Sequence, residues 1–420
     1  MRAAIALAAA ALCACADRVP TWNPNVQPIV ARSCGGCHVE RGIAPFTLQT
    51  FAEAVARKDL IRAQVESRRM PPWPPAEGCA EYAGDRSLPE QDRQTLLSWI
   101  DRGAPEGAKS DAPAATPTPV GLSRVDRELR IAAPYQPVRA PDEYRCFLLD
   151  WPEPERRFVT GFSAQPGNAS IVHHVLAFVA TPDRAAQFQA LDDADPAPGY
   201  SCFGGPGGTA NTLGGWVPGT QGGDFPSGTG VPIDPGSKII LQVHYNLTNR
   251  LGPLDQTAIR LKIDASVARP AFLLPWADPS WVNSGTMNIS AGAADVRHAF
   301  TFAPGPYLGL ITGNLLSSGR FTVYGAALHQ HLRGTRSRLD IQRAGGTREC
   351  LLDIEHWNFH WQGGYTLKTP KVVGRTDSLS IECHWDNSSA NQPDGLPPRD
   401  LNWGEGTGDE MCLGFLYITQ

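Results

Sequence analysis

The stretch Lys238 to Leu247, KIILQVHYNL, alternates with period two: Ile239, Leu241, Val243 and Tyr245 fall on one side, and Ile240, Gln242, His244 and Asn246 on the other. This is the pattern of a strand, and Phe321 to His331 repeats it, with His329 and His331 on one face and Gln330 opposite. Clusters of Gly, Pro, Asn and Asp recur between such runs. With 42 glycines, 37 prolines and few long amphipathic patterns after residue 110, the chain favours many short strands joined by turns. At 420 residues it is too long for one ordinary core, so two or three domains are expected. A net charge of −5 without a basic block argues against nucleic acid as a partner.

The first residues read as an export signal, expected over 1–16. Arg2 precedes an apolar run, Ala3 to Ala14, too short to span a membrane. Cleavage near Ala16 gives a soluble periplasmic or secreted protein; a lipoprotein box at Leu12-Cys13-Ala14-Cys15, with Cys15 lipidated, gives an anchored one. Nothing later is apolar for long enough to cross a bilayer. After Cys13 and Cys15, eight of the ten cysteines remain, Cys34, Cys37, Cys79, Cys146, Cys202, Cys350, Cys383 and Cys412. Export makes disulfides the expected state of the last six.

Residues 17–109 read as a small α-helical domain. A helix-like stretch, Val26 to Ser33, leads into CGGCH, in which Cys34, Cys37 and His38 have the spacing that attaches a c-type haem. Met70, in RRMPPWPP, supplies the second axial ligand from a proline-stiffened loop. Pro89 to Asp101 closes the domain as a helix, with Leu96, Leu97 and Ile100 on its apolar side and Gly103 at its end. The arrangement resembles a cytochrome c domain. Ser110 to Pro119, SDAPAATPTP, reads as a semi-rigid tether within a linker of 110–122.

Four further strings carry metal-binding side chains: VHHVLAF with His173 and His174, LQVHYN with His244, ALHQHLRG with His329 and His331, and GDEMCLGF with Met411. Residues i and i+2 of a strand point the same way, so His329 and His331 can share one ion. His173 and His174 are neighbours, and binding one ion with both requires a bulge or different ring nitrogens. Each string alone is compatible with ordinary strand histidines or a core methionine. Together, three imidazoles and then two imidazoles with a thioether suit two copper ions that cycle between oxidation states. His298, His356, His360 and His384 fall outside the pattern and read as surface or core histidines, although His356 and His360 could reach a shared ion if their strand bends.

The order HH, VHYN, HxH and DEMC resembles the copper type II, ascorbate-dependent monooxygenases, the family of dopamine β-monooxygenase and peptidylglycine α-hydroxylating monooxygenase. The resemblance covers roughly residues 125 to 420 and implies a mainly β fold. Two jelly-roll-like antiparallel β-sandwich domains, 123–275 and 276–420, are then expected, split near Pro270 to Trp281. It implies that His173, His174 and His244 hold an electron-storing copper. It implies that His329, His331 and Met411 hold the copper where dioxygen binds and a C–H bond is hydroxylated. Gln242 matches a position that steers the first site by hydrogen bonding, and Cys383 and Cys412 match a family disulfide. Pairing among Cys79, Cys146, Cys202 and Cys350 stays open, since four cysteines allow three connectivities. The chain departs from the peptide-amidating members. Their substrate-binding arginine is replaced by Ala327, and polar residues after DEMC are replaced by Leu413 and Phe415, which points to an apolar or aromatic substrate.

The expected activity is therefore hydroxylation of a small organic molecule by dioxygen, with electrons from ascorbate or through the fused haem. The alternative is an exported copper and haem electron carrier without turnover. A zinc hydrolase is disfavoured, because zinc sites rarely take a thioether and hydrolysis gives no role to a haem.

Overall fold

The structure, a computed structural model, describes residues 19–40, 44–108, 121–217, 220, 222–247, 251–359, 361–393 and 395–420. The expected export signal with Cys13 and Cys15, nearly all of the linker, and His360 lie outside these residues. Two units are distinguished, one drawn from Met1–Trp73 and Arg86–Pro119, the other from Pro74–Asp85 and Val120–Gln420.

The first unit is helical. Its main helices are Gln27–Ser33, Phe51–Ala56, Lys58–Glu66 and Glu90–Asp101. Local chemistry explains two of the starts. Thr50 and Glu53 form a reciprocal capping box at Phe51, and Pro89 precedes a first turn carrying Glu90 and Asp92. The last helix ends at Gly103, whose φ of 84° lies in the left-handed region that glycine tolerates. Leu96, Leu97 and Ile100 are buried as their spacing predicts, in a core with Trp22, Val26, Val30 and Trp99.

The second unit is built from three sheets. A five-stranded antiparallel sheet has the order Tyr200–Ser201, Asp142–Asp150, Lys238–Asn246, Val172–Ala180, Asn211–Trp216. A four-stranded sheet contains Val296–Phe302, Ser378–Trp385, Gly334–Gln342 and Arg348–Ile354. The third has nine strands, and through its middle run Arg157–Gln165, Thr229–Ile233, Arg269–Trp276, Leu413–Thr419 and Phe321–His329 in that order.

Mainly strand with few helices, the second unit is consistent with β-sandwich packing, and one of its sheets is continuous. The boundary expected near Pro270 to Trp281 falls on Arg269–Trp276. This strand pairs in parallel with Thr229–Ile233 on one side and antiparallel with Leu413–Thr419 on the other. Backbone hydrogen bonds thus carry one sheet through both halves, where a linker would have left two free edges. The five-stranded sheet packs over one end of it. Val175, Leu241, Val243 and Tyr245 share a core there with Val159, Phe162, Ile259 and Leu261. At the other end the four-stranded sheet covers it: a Cβ at Gly414 would meet Leu339 at 3.1 Å and Ile381 at 3.5 Å.

The strand Lys238–Asn246 alternates as its sequence requires, but neither face is wet. Ile239, Leu241, Val243 and Tyr245 enter the core between sheets. Ile240 packs on the opposite side with Tyr144, Cys146, Phe178 and Phe188, the last from the helix Pro182–Ala194. That helix and the Cys146–Cys202 disulfide close off a face that period two alone would have left to solvent.

Two further disulfides join Cys79 to Cys350 and Cys383 to Cys412. The first explains why Pro74–Asp85, expected inside the first domain, belongs to the second unit. Around that bridge Ala76 N–H donates to Asp353 O at 2.8 Å, Ala83 N–H to Thr366 O at 2.7 Å and Tyr82 Oη to Leu351 O at 3.0 Å. Disulfides are the state expected in an oxidising compartment. Among the described residues no helix is long and apolar enough to cross a membrane.

Replacing Cys383 with Ser is expected to lower the stability of the second unit by about 2–5 kcal/mol, read as a reduced urea midpoint; an unchanged midpoint would mean that the bridge contributes nothing.

Candidate functional site

The side chains of His173, His174 and His244 converge, with one nitrogen from each lying within 4.8 Å of the others. The ladder explains how adjacent residues manage this. Val172 lies opposite Tyr245 and His174 opposite His244, so the register slips at His173. This β-bulge turns His173 to the face that His174 already occupies. The three rings meet through the same atom, His173 Nδ1 at 3.4 Å and His244 Nδ1 at 3.3 Å from His174 Nδ1.

The outer nitrogen of His244 is also fixed. Its Nε2 lies 2.8 Å from Asp142 Oδ1, an oxygen that also accepts from Asn246 Nδ2 and Thr407 Oγ1, each at 2.9 Å. A carboxylate only accepts, so Nε2 carries the proton and the Nδ1 lone pair points into the cluster. Burial alone would raise the Asp142 pKa, but the bonds from His244, Asn246 and Thr407 hold it well below the ordinary carboxylate range. Tyr144 stacks on His244, with ring centroids 4.1 Å apart and planes 9° from parallel.

The HxH residues lie at the end of Phe321–His329, with His331 just beyond it. Their rings are 5.0 Å apart. Gln330 points the other way, fully buried, and its Nε2 donates to His384 O at 3.0 Å. Here the ring nitrogens are used in the opposite sense. His329 Nδ1 donates to Gln362 Oε1, and His331 Nδ1 donates to Asp409 O at 3.1 Å. Both acceptors require the proton on Nδ1, which leaves each Nε2 with a free lone pair.

Met411, 4% exposed, follows directly on this scaffold. Glu410 accepts from His331 N–H and Trp385 Nε1 at 2.9 Å and from Arg333 N–H at 2.6 Å. Burial pushes the Glu410 carboxyl up to about 7, against the pull of these donors. Cys412 is bonded to Cys383, and Leu413 pairs with His329 across the ladder. Met411 is therefore held on both sides, two residues before the one that pairs with His329.

The electrostatics favour metal over protons. Burial, and then the positive charge that neighbouring imidazoles would carry, push the His174 pKa well below its ordinary value. His331 and His329 are lowered too, chiefly by burial. His244 is lowered by burial despite Asp142. Neutral imidazoles present lone pairs without first losing a proton.

Gln242 is directed elsewhere: its Nε2 donates to Cys202 O at 3.1 Å. It supports the loop around the Cys146–Cys202 bridge and, among the described residues, bonds no histidine. His384 is buried and bonded to Asp295, Glu382 and Arg336, His298 meets Asn288 O, and His356 is exposed. Sequence reading did not find Asp142, Tyr144, Gln362 or Glu410. Of these only Glu410, inside the DEMC string, carried a local signal.

In the helical unit Cys34 and Cys37 are not bonded to each other. His38 Nδ1 donates to Phe46 O at 3.0 Å, so its Nε2 is the nitrogen left to bind. Met70 is half-buried, four residues beyond the helix Lys58–Glu66.

Residues 311–419 match the family copper type II ascorbate-dependent monooxygenase, C-terminal domain. That match includes His329, His331, Met411 and the Cys383–Cys412 pair, and leaves the three-histidine cluster outside it. The chain is also 23% identical over 269 residues to the DBH-like monooxygenase protein 2 of Mus musculus, covering 60% of this chain and 38% of that protein. It thus spans well under half of that relative's length. Together these similarities support the copper type II monooxygenase family. Among solved structures, the infectious bursal disease virus VP2 subviral particle is 9% identical, covering 71% of this chain and 74% of that one at a TM-score of 0.17. The infectious bursal disease virus Gx strain structure is 8% identical, covering 72% and 75%, also at 0.17. Scores this low carry no inference.

Two outcomes are expected. Asp142→Ala should weaken copper binding at the three-histidine cluster about 10–100-fold by freeing His244, measured by competition with a chelator; unchanged affinity would remove Asp142 from the site. Because the imidazole pKa values are lowered, protons should begin to displace copper only below the ordinary histidine range of about 6.5. A pH titration of bound copper with its midpoint at or above that value would contradict the assignment.

Proposed function

We propose that the chain is a copper-dependent monooxygenase that hydroxylates a C–H bond of a small organic substrate. Dioxygen, two electrons and two protons are consumed; one oxygen atom enters the substrate and the other leaves as water. One observation carries this reading: a three-imidazole cluster and a separate HxH pair are built into the same unit, with the tautomers of His244, His329 and His331 fixed by hydrogen bonds.

The residues fit copper. His173, His174 and His244 would hold one ion through Nδ1, and His329, His331 and Met411 a second, through the two Nε2 atoms and the thioether. Copper supplies one-electron chemistry at each site, and soft sulfur at the second favours the reduced ion. The protein orients the ligands. Asp142 aims His244, Gln362 and Asp409 aim His329 and His331, and Glu410 fixes the backbone that carries His331 and leads to Met411.

The surface next to His329 bears on the substrate. On the paired strands, Leu413 lies opposite His329 and Phe415 opposite Ala327, so these residues share one face. All three neighbours of His329 are half-buried and none can bind a carboxylate. This supports an apolar or aromatic substrate.

Electrons come from ascorbate, as the family name implies, or through a haem held by Cys34, Cys37 and His38 with Met70 as the second axial ligand. Two unlinked thiols and an imidazole with Nε2 available are the donor set such a haem requires. Export to the periplasm, the cell envelope or the medium fits the three disulfides.

Met411→Ile is the decisive variant. It should abolish product formation while copper at the three-histidine cluster and haem absorbance persist, checked by metal analysis, visible spectra and oxygen uptake with ascorbate and apolar candidate substrates. Full turnover by the variant would remove Met411 from the oxygen-binding site. Copper loading with no turnover of any substrate by the unmodified protein would favour the electron carrier.

A further inference from the structure

The run Ala299 to Gly319 carries no charged residue, in a chain of which charged residues make up 19%. It begins on the strand Val296–Phe302, at the edge of the four-stranded sheet, and continues as a surface loop, residues 303–319. The apolar side chains of this loop are divided between two environments. Leu308 and Leu316 are buried, whereas Tyr307 is 51% and Leu310 84% exposed, and Phe302 and Ile311 are exposed beside them. Among the described residues no large hydrophobic side chain is more exposed than Leu310. Such a patch on a folded surface marks a site of interaction.

The fold of the loop imposes this exposure. Thr312, buried, donates through Oγ1 to Leu308 O at 2.8 Å and accepts from Leu316 N–H at 3.0 Å. Gly313 and Asn314 follow with φ of 59° and 65°, a left-handed pair that reverses the chain. Asn314 N–H then donates to Gly309 O at 2.6 Å. With Leu308 and Leu316 fixed inward, Leu310 and Ile311 are left at the tip. The tip stands on an aromatic column. Phe302 stacks on Tyr307 with ring centroids 5.4 Å apart and planes 28° from parallel, and on Phe300 at 6.2 Å and 13°. Phe300 in turn meets the buried Trp276 at 5.5 Å.

The base of the loop is basic. A Cβ at Gly319 would meet Arg375 Nη1 at 2.9 Å, and one at Gly305 would meet the Arg375 carbonyl, so both ends of the loop close on Arg375. Arg320, Arg375 and the exposed Val372 line one cleft. Both arginines are exposed, and the carboxylate of that cleft, Asp377, is bonded to Arg343 at 2.8 Å instead. An apolar tip with a tyrosine, above two guanidinium groups without a carboxylate partner, matches the layers of an anionic bilayer. Acyl chains accept the aliphatic side chains, the headgroup level accepts the tyrosine, and phosphates attract the cations. Two copies of the chain meeting tip to tip would instead bring four such cations together. We propose that residues 303–319 dock on a membrane, with Tyr307, Leu310 and Ile311 entering the interface of an anionic bilayer and Arg320 and Arg375 on its phosphates. The copper sites play no part in this inference.

The test titrates the full chain with vesicles of phosphatidylethanolamine and phosphatidylglycerol, or of phosphatidylcholine alone, and follows hydrogen exchange of the backbone amides of residues 305–316. Wild type is expected to show slowed exchange there with the anionic vesicles and much less with phosphatidylcholine. Leu310→Asp should need about 10–100-fold more anionic lipid for half of the protection, because one buried aliphatic side chain is lost. Arg320→Gln together with Arg375→Gln should need about 30-fold more.

A wild-type loop that no vesicle protects, equal protection by the two kinds of vesicle, or protection that persists undiminished in Leu310→Asp overturns the proposal. So does vesicle binding that leaves exchange in the loop unchanged, as an anchor elsewhere in the chain would give. Lipid-free wild type that self-associates in sedimentation equilibrium, with Leu310→Asp monomeric, would assign the tip to a second copy and also overturns it. The wild-type titration uses no substitution, so it decides the matter even if a variant fails to fold.

Discussion

The slip in register at His173 is the constraint on which the first site depends. Without it, adjacent strand residues would send their side chains to opposite faces, and the HH string would offer one ligand to the cluster and one to the core. With it, His173, His174 and His244 meet through three Nδ1 atoms. The bulge is sustained by what surrounds it. Val172 and Val175 on either side are buried in the core between sheets, so the ladder cannot restore the regular register without exposing them.

The second set depends on buried polar groups more than on apolar packing. Glu410 is fully buried and accepts from two backbone N–H groups and one indole. A buried carboxylate left without such donors would cost several kcal/mol. Here the donors come from the segment that carries His331 and from Trp385, so the strands bearing HxH and the segment bearing Met411 are held in one arrangement. The Cys383–Cys412 bridge reinforces the same junction covalently.

Much of this was legible in the sequence, and the reasons for the rest are physical. Period two in KIILQVHYNL gave the strand and its inward residues correctly, because side-chain alternation is a local property of an extended chain. It could not reveal that the other face is also buried, since the helix Pro182–Ala194 that covers it lies far away in the chain. The HxH spacing likewise implied a shared face. The need for a bulge at His173 was readable; its presence was not, because a register slip depends on the partner strand. Asp142 could not be found at all: it sits 102 residues from His244, and only the pairing of their strands brings them together. The continuous nine-stranded sheet escaped detection for the same reason, since a parallel pairing between Thr229–Ile233 and Arg269–Trp276 leaves no turn signature between them.

The two sets also differ in which nitrogen they leave free, and this bears on how each could work. Nδ1 is bonded to the ring carbon next to Cβ, so a ligand acting through it has a short lever from the backbone. In the first cluster that backbone belongs to paired strands in the interior of a sheet. Such a site resists movement, which suits an ion that gains and loses an electron without changing its ligands. Nε2 lies across the ring and reaches farther. In the second set His331 is already beyond the end of its strand, and Met411 has an unbranched, flexible side chain. Longer levers and a soft ligand tolerate a change in coordination, as an ion that must accept an external molecule requires. On the two-copper reading, the hydrogen-bond partners of His244, His329 and His331, more than the histidines themselves, would separate a rigid site from an adaptable one within a single framework.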